Sequence, residues 1–297
     1  MLTGIGDDCA VLRLTAGQQL LVTTDFTLEG VHFRREWHPP QVVGWRCMTR
    51  GLSDIAAMGG EPRAAFLSLA LDRRTPQKWV DRFMDGLLAA AKEFRVSLAG
   101  GDTAQSAGGI QADIVVVGSV PKGKAILRSG ARPGDAIYVT GALGGSAAAI
   151  AQLRKGKARM TDYERHFHPT ARIEVGRWLR QRGLASAMID LSDGLSTDLA
   201  HICEESGVGA EIEGAAVPRA RVDRWTEPVT LDLALHGGED YELLLTSGEK
   251  VPSQIEGVPM TRIGKITPER GIVLIGSDGR RRRLTTRGWE HFRRHVG

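Results

Sequence analysis

Short β-type runs alternate with longer helical patterns along this chain. Leu20 to Thr24 (LLVTT), Ala64 to Leu71 and Asp113 to Val120 (DIVVVGSV) show alternation or β-branched enrichment and predict strands. Between them, 41–59 carries apolar residues at helical spacing and stops at a Gly-Gly pair. The stretch 76–94 opens on Thr75-Pro76 and sets Trp79, Phe83, Leu87 and Ala90 on one face, a second helix. The predicted order of strand, helix, strand, helix, strand is an α/β or α+β layout.

RSGARPGD, 128–135, combines proline, glycine and charge and predicts a domain boundary, with domains at 1–125 and 133–297. Beyond it the pattern predicts a strand at 136–140, a glycine turn at 141–145 and a helix at 146–153. The polar stretch 154–170 reads as a surface excursion before a helix at 171–182. A strand at 186–191 runs into a helix that ends at Gly207, and further strands are predicted at 209–213, 241–246, 260–266 and 272–275. No short-period repeat is evident.

With 297 residues, 42% of them hydrophobic, the chain can build cores for two domains. There are 39 basic and 35 acidic residues, a net charge of +4. The excess gathers in Arg280 to Arg283 and in Arg293 and Arg294; without interleaved aromatics this reads as a solvated turn and tail, and no nucleic-acid partner is expected. Cys9, Cys47 and Cys203 are odd in number and widely spaced, which suggests neither a disulfide framework nor a thiolate zinc site and suits a reducing compartment. MLTGIGDD lacks the basic and apolar regions of a signal peptide, and no apolar stretch approaches the ~20 residues of a membrane span. The expectation is a soluble, cytoplasmic protein with no membrane partner.

Acids interrupt the apolar pattern in six places. Asp190, Asp193 and Asp198 lie in MIDLSDGLSTDL, Asp7 and Asp8 in GIGDDCAVL, Asp25 in VTTDFTLEGVH, Asp54 in LSDIAAMGG, Asp102 in AGGDTA, and Glu239 and Asp240 in HGGEDYELLL. Burying a lone carboxylate costs several kcal/mol at least, of order ~3 or more, so acids placed here need a positive partner. Taken singly, each fits a helix cap or a turn. Six such motifs with apolar and glycine flanks are poorly explained as six independent caps, and they point instead to one shared site at strand ends and glycine turns. An oxygen-rich set without His or Cys nearby suits a hard divalent cation such as Mg²⁺, with the Thr23, Thr24, Ser53 and Ser192 hydroxyls to complete shells or bond phosphate. Asp198, one turn inside its helix, reads rather as a first-turn acid favoured by the helix dipole. The chain lacks a GxSxG elbow, an HExxH pair and a Walker A sequence. A glycosidase needs two acids, not six clusters.

GIGDDCAVL, TTDFTLEGVHF, LSDIAAMGGEPRAAFLSLAL, GGDTA, LRSGARPGDAIYVTGALGGSAAA, IDLSDGLSTDLAHI and GGEDYELLLT, in this order and spacing, resemble thiamine-monophosphate kinases over essentially the whole chain. The resemblance implies a two-domain aminoimidazole-ribonucleotide synthetase-like fold: an N-terminal ATP/metal-binding domain that builds a dimeric β-barrel with a second subunit, and a C-terminal α+β sandwich. It also implies direct in-line transfer of the ATP γ-phosphoryl group to thiamine monophosphate, with several Mg²⁺ ions, no protein nucleophile and a homodimer. By position, Asp8, Thr23, Thr24, Asp25, Asp54, Asp102, Asp190 and Asp193 match metal positions. Gly101, Asp102, Arg128 and Ser192 match ATP contacts, and His32, Glu239 and Trp289 match contacts to the acceptor substrate. Trp289 suits stacking on flat, cationic heteroaromatic rings.

Departures from the family pattern are Arg50-Gly51 where an Asn commonly precedes LSD, Gly145 at a usually acidic position, for which no metal role is expected, and a short segment before GIGDD. The alternative readings are another ATP-dependent synthetase of the same superfamily, selenophosphate or aminoimidazole-ribonucleotide synthetase-like, and a non-catalytic nucleotide-binding homologue. The first lacks its expected N-terminal reactive Cys with a nearby Lys, and the second leaves the retained acids unexplained.

Overall fold

The structure is a computed structural model and describes residues 12–157, 159–222 and 228–288. It divides into two compact units, Met1–Ala125 with Phe167–Arg177, and Ile126–His166 with Trp178–Gly297. Among the described residues no helix is long and apolar enough to cross a membrane.

The first unit contains β1 (Gln18–Leu28), α1 (Pro40–Ala57), β2 (Glu61–Leu71), α2 (Gln77–Glu93), β3 (Ser97–Gln105) and β4 (Gln111–Pro121). Its sheet has the order β1-β4-β2-β3, parallel between β2 and β3 and antiparallel elsewhere. Side chains alternate across β1: Leu21 and Thr27 are buried, whereas Leu20, Val22 and Phe26 on the opposite face are 52%, 66% and 55% exposed. The helices α1 and α2 meet backbone to backbone. A Cβ on Gly44 would stand 1.9 Å from Phe83 O, and one on Gly86 would stand 1.8 Å from Gln41 O. The returning segment is fixed to α1 by Trp45 Nε1, which donates to Pro169 O at 2.8 Å, and by the edge-on Trp45–His168 contact at 5.6 Å.

The chain beyond Ala125 contains β5 (Ala136–Thr140), α3 (Gly145–Leu153), a 3-10 turn at Met160–Asp162, α4 (Glu164–Phe167), α5 (Ile173–Arg182), β6 (Ala187–Asp190), α6 (Leu195–Ser206), β7 (Gly209–Glu213), α7 (Leu231–His236), β8 (Leu243–Ser247), β9 (Gln254–Ile255), β10 (Val258–Thr267), β11 (Gly271–Ile275) and β12 (Arg281–Arg283); these elements form the second unit, except that Phe167 and the first half of α5, up to Arg177, belong to the first. The sheet runs β12-β11-β7-β10-β5-β8-β6, with β9 beside β10; β7 and β11 are parallel. Leu195, Leu199, Ile202 and Cys203 of α6 join Ile137, Val139, Ile189, Leu244 and Ile263 of the sheet in one buried core. Gly207 ends α6 in the left-handed region at φ 68°.

Two expectations change, and one strand has no counterpart among them. Ser97–Gln105, with its Gly-Gly pair and few β-branched residues, has a weak strand signature yet forms β3, because Gly101 lets the backbone approach β2: a Cβ there would lie 2.0 Å from Leu67 O. Arg281–Arg283 is exposed to solvent as expected but forms the edge strand β12 rather than a turn, and its Arg281 guanidinium pairs with Glu211. The excursion 154–170 holds a 3-10 turn and α4.

Candidate active site

In the first unit the period of β1 turns Thr23 and Asp25 toward α1, where Arg50 and Asp54, four residues apart, share a helix face. The Thr23 hydroxyl donates to Asp54 Oδ2, and Arg50 Nη2 pairs with Asp25 Oδ1 at 2.8 Å. On the other side of β1, Thr24 Oγ1 donates to Asp113 Oδ1 at 2.6 Å. Strand register sets Asp102 opposite Ser68 and Ser68 opposite Asp113, so the three occupy one row across β3, β2 and β4. Asp102 Oδ1 accepts from Thr103 N at 2.8 Å. Asp113 is absent from the sequence-based site; its signal was an acid opening an otherwise apolar strand.

His32 lies four residues beyond the end of β1. Its Nδ1 accepts from Leu28 N at 3.0 Å, a bond that orients the ring against the turn after β1. Cys47 is buried on α1, and burial pushes its thiol up to about 12; burial likewise pushes Cys203 to about 11. Neither is a thiolate nucleophile at neutral pH.

In the second unit β6 delivers Asp190, which is 3% exposed, into a turn closed by Gly194 at φ 112° and the start of α6. Asp198 Oδ2 accepts from Gly194 N at 2.9 Å and Asp193 N at 3.2 Å, so this first-turn acid also ties the turn to the helix. It is 1% exposed, and burial, followed by the charges of Asp190 and Asp193, raises its pKa well above the carboxylate range. Asp193, Asp198 and His201 each offer a ligand atom within 4.8 Å of the others. The expectation of an acid set without histidine nearby is therefore corrected here: one helical turn brings His201 beside Asp198.

The 238–242 segment lies along that turn. Glu239 N donates to Ser192 O at 2.8 Å, Tyr241 N to Leu191 O at 2.9 Å and Leu191 N to Glu242 O at 2.8 Å, which bring Glu239 beside Ser192. Glu239 and Tyr241 adopt φ of 64° and 51°, a cost that clusters at functional sites. Asp240 supports the neighbouring glycine loop: its Oδ2 accepts from Gly144 N at 2.7 Å and its Oδ1 from Ser146 N at 3.3 Å. Burial outweighs these donors and pushes its carboxyl up to about 7. Gly288 N donates to the Thr197 hydroxyl at 3.2 Å, and a Cβ on Gly288 would lie 2.2 Å from Asp193 O; sequence reasoning did not single out this close approach.

Arg128 is not brought to the Asp190–Asp193 turn by its backbone. Leu127 O accepts from Met188 N at 2.9 Å, and Arg128 O accepts from Ser206 Oγ at 3.1 Å, at the C-terminal end of α6. Asp8 and Trp289 lie outside the described residues. The first unit offers carboxylate and hydroxyl oxygens, and the second unit offers the carboxylates of Asp190 and Asp193 with the His201 imidazole close by; the oxygen donors fit a hard divalent cation such as Mg²⁺.

Residues 6–120 match the AIR synthase related protein, N-terminal domain, and residues 132–277 match the AIR synthase related protein, C-terminal domain. The chain is 39% identical to the thiamine-monophosphate kinase of Salmonella typhimurium over 305 aligned residues, 98% of this chain and 92% of that one. The crystal structure of thiamine-monophosphate kinase from Stenotrophomonas maltophilia K279a superposes with a TM-score of 0.82 at 35% identity, covering 94% of this chain and 91% of that one. A structure of AaThiL complexed with AMPPCP and TMP gives the same TM-score, 0.82, at 32% identity, covering 94% of this chain and 89% of that one. With relatives this similar along nearly its full length, the chain belongs to the thiamine-monophosphate kinase family.

Proposed function

We infer that the protein is an ATP-dependent kinase that phosphorylates thiamine monophosphate to thiamine diphosphate. The single observation that carries this reading is near-full-length similarity to thiamine-monophosphate kinases, one of them seen with AMPPCP and TMP. An oxygen of the acceptor phosphate attacks the γ-phosphorus of ATP in line, the bond from that phosphorus to the β,γ-bridging oxygen breaks, and ADP leaves with the electron pair. No covalent protein intermediate is required, in keeping with the buried, protonated thiols.

Asp25, Asp54, Asp102 and the Thr23 and Thr24 oxygens, with Asp8, are the first unit's metal ligands in this reading, and Asp190 and Asp193 are the second unit's. Bound Mg²⁺ supplies charge neutralisation for two polyanionic reactants that otherwise repel. A hydroxyl that donates to a carboxylate, as Thr23 does to Asp54, keeps oxygen lone pairs for a cation. Gly101, Asp102, Arg128 and Ser192 serve ATP, the exposed guanidinium of Arg128 as a phosphate fork. Glu239, held in a strained backbone against Ser192, and His32 and Trp289 serve the thiamine moiety. Leu20, Val22 and Phe26 form an exposed apolar row on the edge strand β1, the kind of surface that a second subunit covers in a barrel-forming homodimer.

The test is ADP release from Mg-ATP with and without thiamine monophosphate. Release that requires the acceptor and matches thiamine diphosphate mole for mole supports the assignment; equal release without acceptor removes it.

A further inference from the structure

The helix α1 brings a positive charge to the acids of β1. Arg50 Nη2 lies 2.8 Å from Asp25 Oδ1, and the Arg50 side chain is 11% exposed against 26% for Asp25. Asp54 follows one turn later on the same helix face, with its Oδ2 accepting from the Thr23 hydroxyl. An arginine carries its charge at every working pH, so the guanidinium is a fixed cation inside a carboxylate set that otherwise repels itself.

We propose that Arg50 is a positioning residue of the first unit's metal site: it holds Asp25 in place before metal arrives and competes with a divalent cation for that carboxylate until nucleotide phosphate takes the guanidinium over. This rests on reading Asp25 and Asp54 as metal ligands. A cation approaching Asp25 meets a like charge in a partly desolvated place, where salt screens the repulsion weakly. Phosphate oxygens accept a guanidinium fork at least as well as one carboxylate oxygen does. When nucleotide is present the guanidinium has this second partner, and Asp25 is released to the metal. Arg50 thus couples metal binding to nucleotide binding, each strengthening the other.

The experiment compares the full-length protein with Arg50→Met and Arg50→Lys, following Mn²⁺ binding by electron paramagnetic resonance without nucleotide and then with AMPPCP. Charge-assisted hydrogen bonds of this type imply that nucleotide-free Arg50→Met binds Mn²⁺ about tenfold more tightly than the wild type. AMPPCP then strengthens Mn²⁺ binding less in Arg50→Met than in the wild type, and Arg50→Lys, which keeps the charge, stays near the wild type without nucleotide. Arg50→Met should also melt lower without metal and gain more on adding Mn²⁺. Should Arg50→Met not fold, Arg50→Gln carries the same expectation. Metal binding that is unchanged or weakened when the charge is removed, or is absent from every form, overturns the proposal. None of these readings uses turnover, so a protein inactive on thiamine monophosphate that shows the tenfold gain keeps the Arg50 role and loses the kinase assignment.

Discussion

Asp54 is partly buried on α1, where its Oδ2 accepts from the Thr23 hydroxyl. Asn at this position still accepts the Thr23 hydroxyl but lacks the charge a divalent cation requires, so Asp54→Asn should lower kcat by roughly 100-fold or more while leaving the melting temperature within a few degrees. A loss of folding together with activity, read by circular dichroism, would make Asp54 a helix-packing acid instead. Asp240 answers to a different variable. Burial raises its folded pKa to about 7 from the ordinary 3.8, so the native state binds the proton more tightly than the unfolded chain does. That contribution to stability is full below pH ~4 and is lost as pH rises to ~7. Asp240→Asn should flatten the fall in unfolding free energy across this window; a slope equal to the wild type would show that Asp240 does not titrate there. Two further residues show what single positions hide in a sequence. Asp113 faces Thr24 only because strand register brings β4 beside β1, and His201 joins Asp198 only through the turn of a helix.

At the level of elements, MIDLSDGLSTDL was readable because its strand, glycine turn and helix each carry their own local signal, and Gly207 marks the end. β3 was not, since the glycines that weaken its strand signature are the condition for its pairing with β2. The same physics governs the α1–α2 crossing. A methyl at Gly86 would stand 1.8 Å from the Gln41 carbonyl oxygen, backbone that cannot rotate away, so Gly86→Ala should cost about 3 kcal/mol or more in denaturant unfolding. A cost under about 0.5 kcal/mol would mean that the helices separate freely. β12 returns on the neighbouring β11 as a hairpin, a local pairing that its run of arginines disguises, whereas the strained Glu239 depends on Ser192, distant in the chain, and local pattern carries no record of that contact.

For the molecule as a whole, the sequence motifs made the family legible, whereas which candidate site residues meet within each unit required the register of its sheet. The exposed Val22 and Phe26 predict self-association through β1: light scattering should give twice 32.1 kDa for the wild type and 32.1 kDa for Val22→Lys with Phe26→Lys. A wild type that stays monomeric at micromolar concentration would leave that face to another partner. The central claim, direct phosphoryl transfer between two phosphates, is tested by following ³²P from γ-labelled ATP in a single turnover with thiamine monophosphate. The label should appear in the terminal phosphate of thiamine diphosphate, equimolar with ADP, and never on the protein; label released as inorganic phosphate, or trapped on the chain, would contradict it.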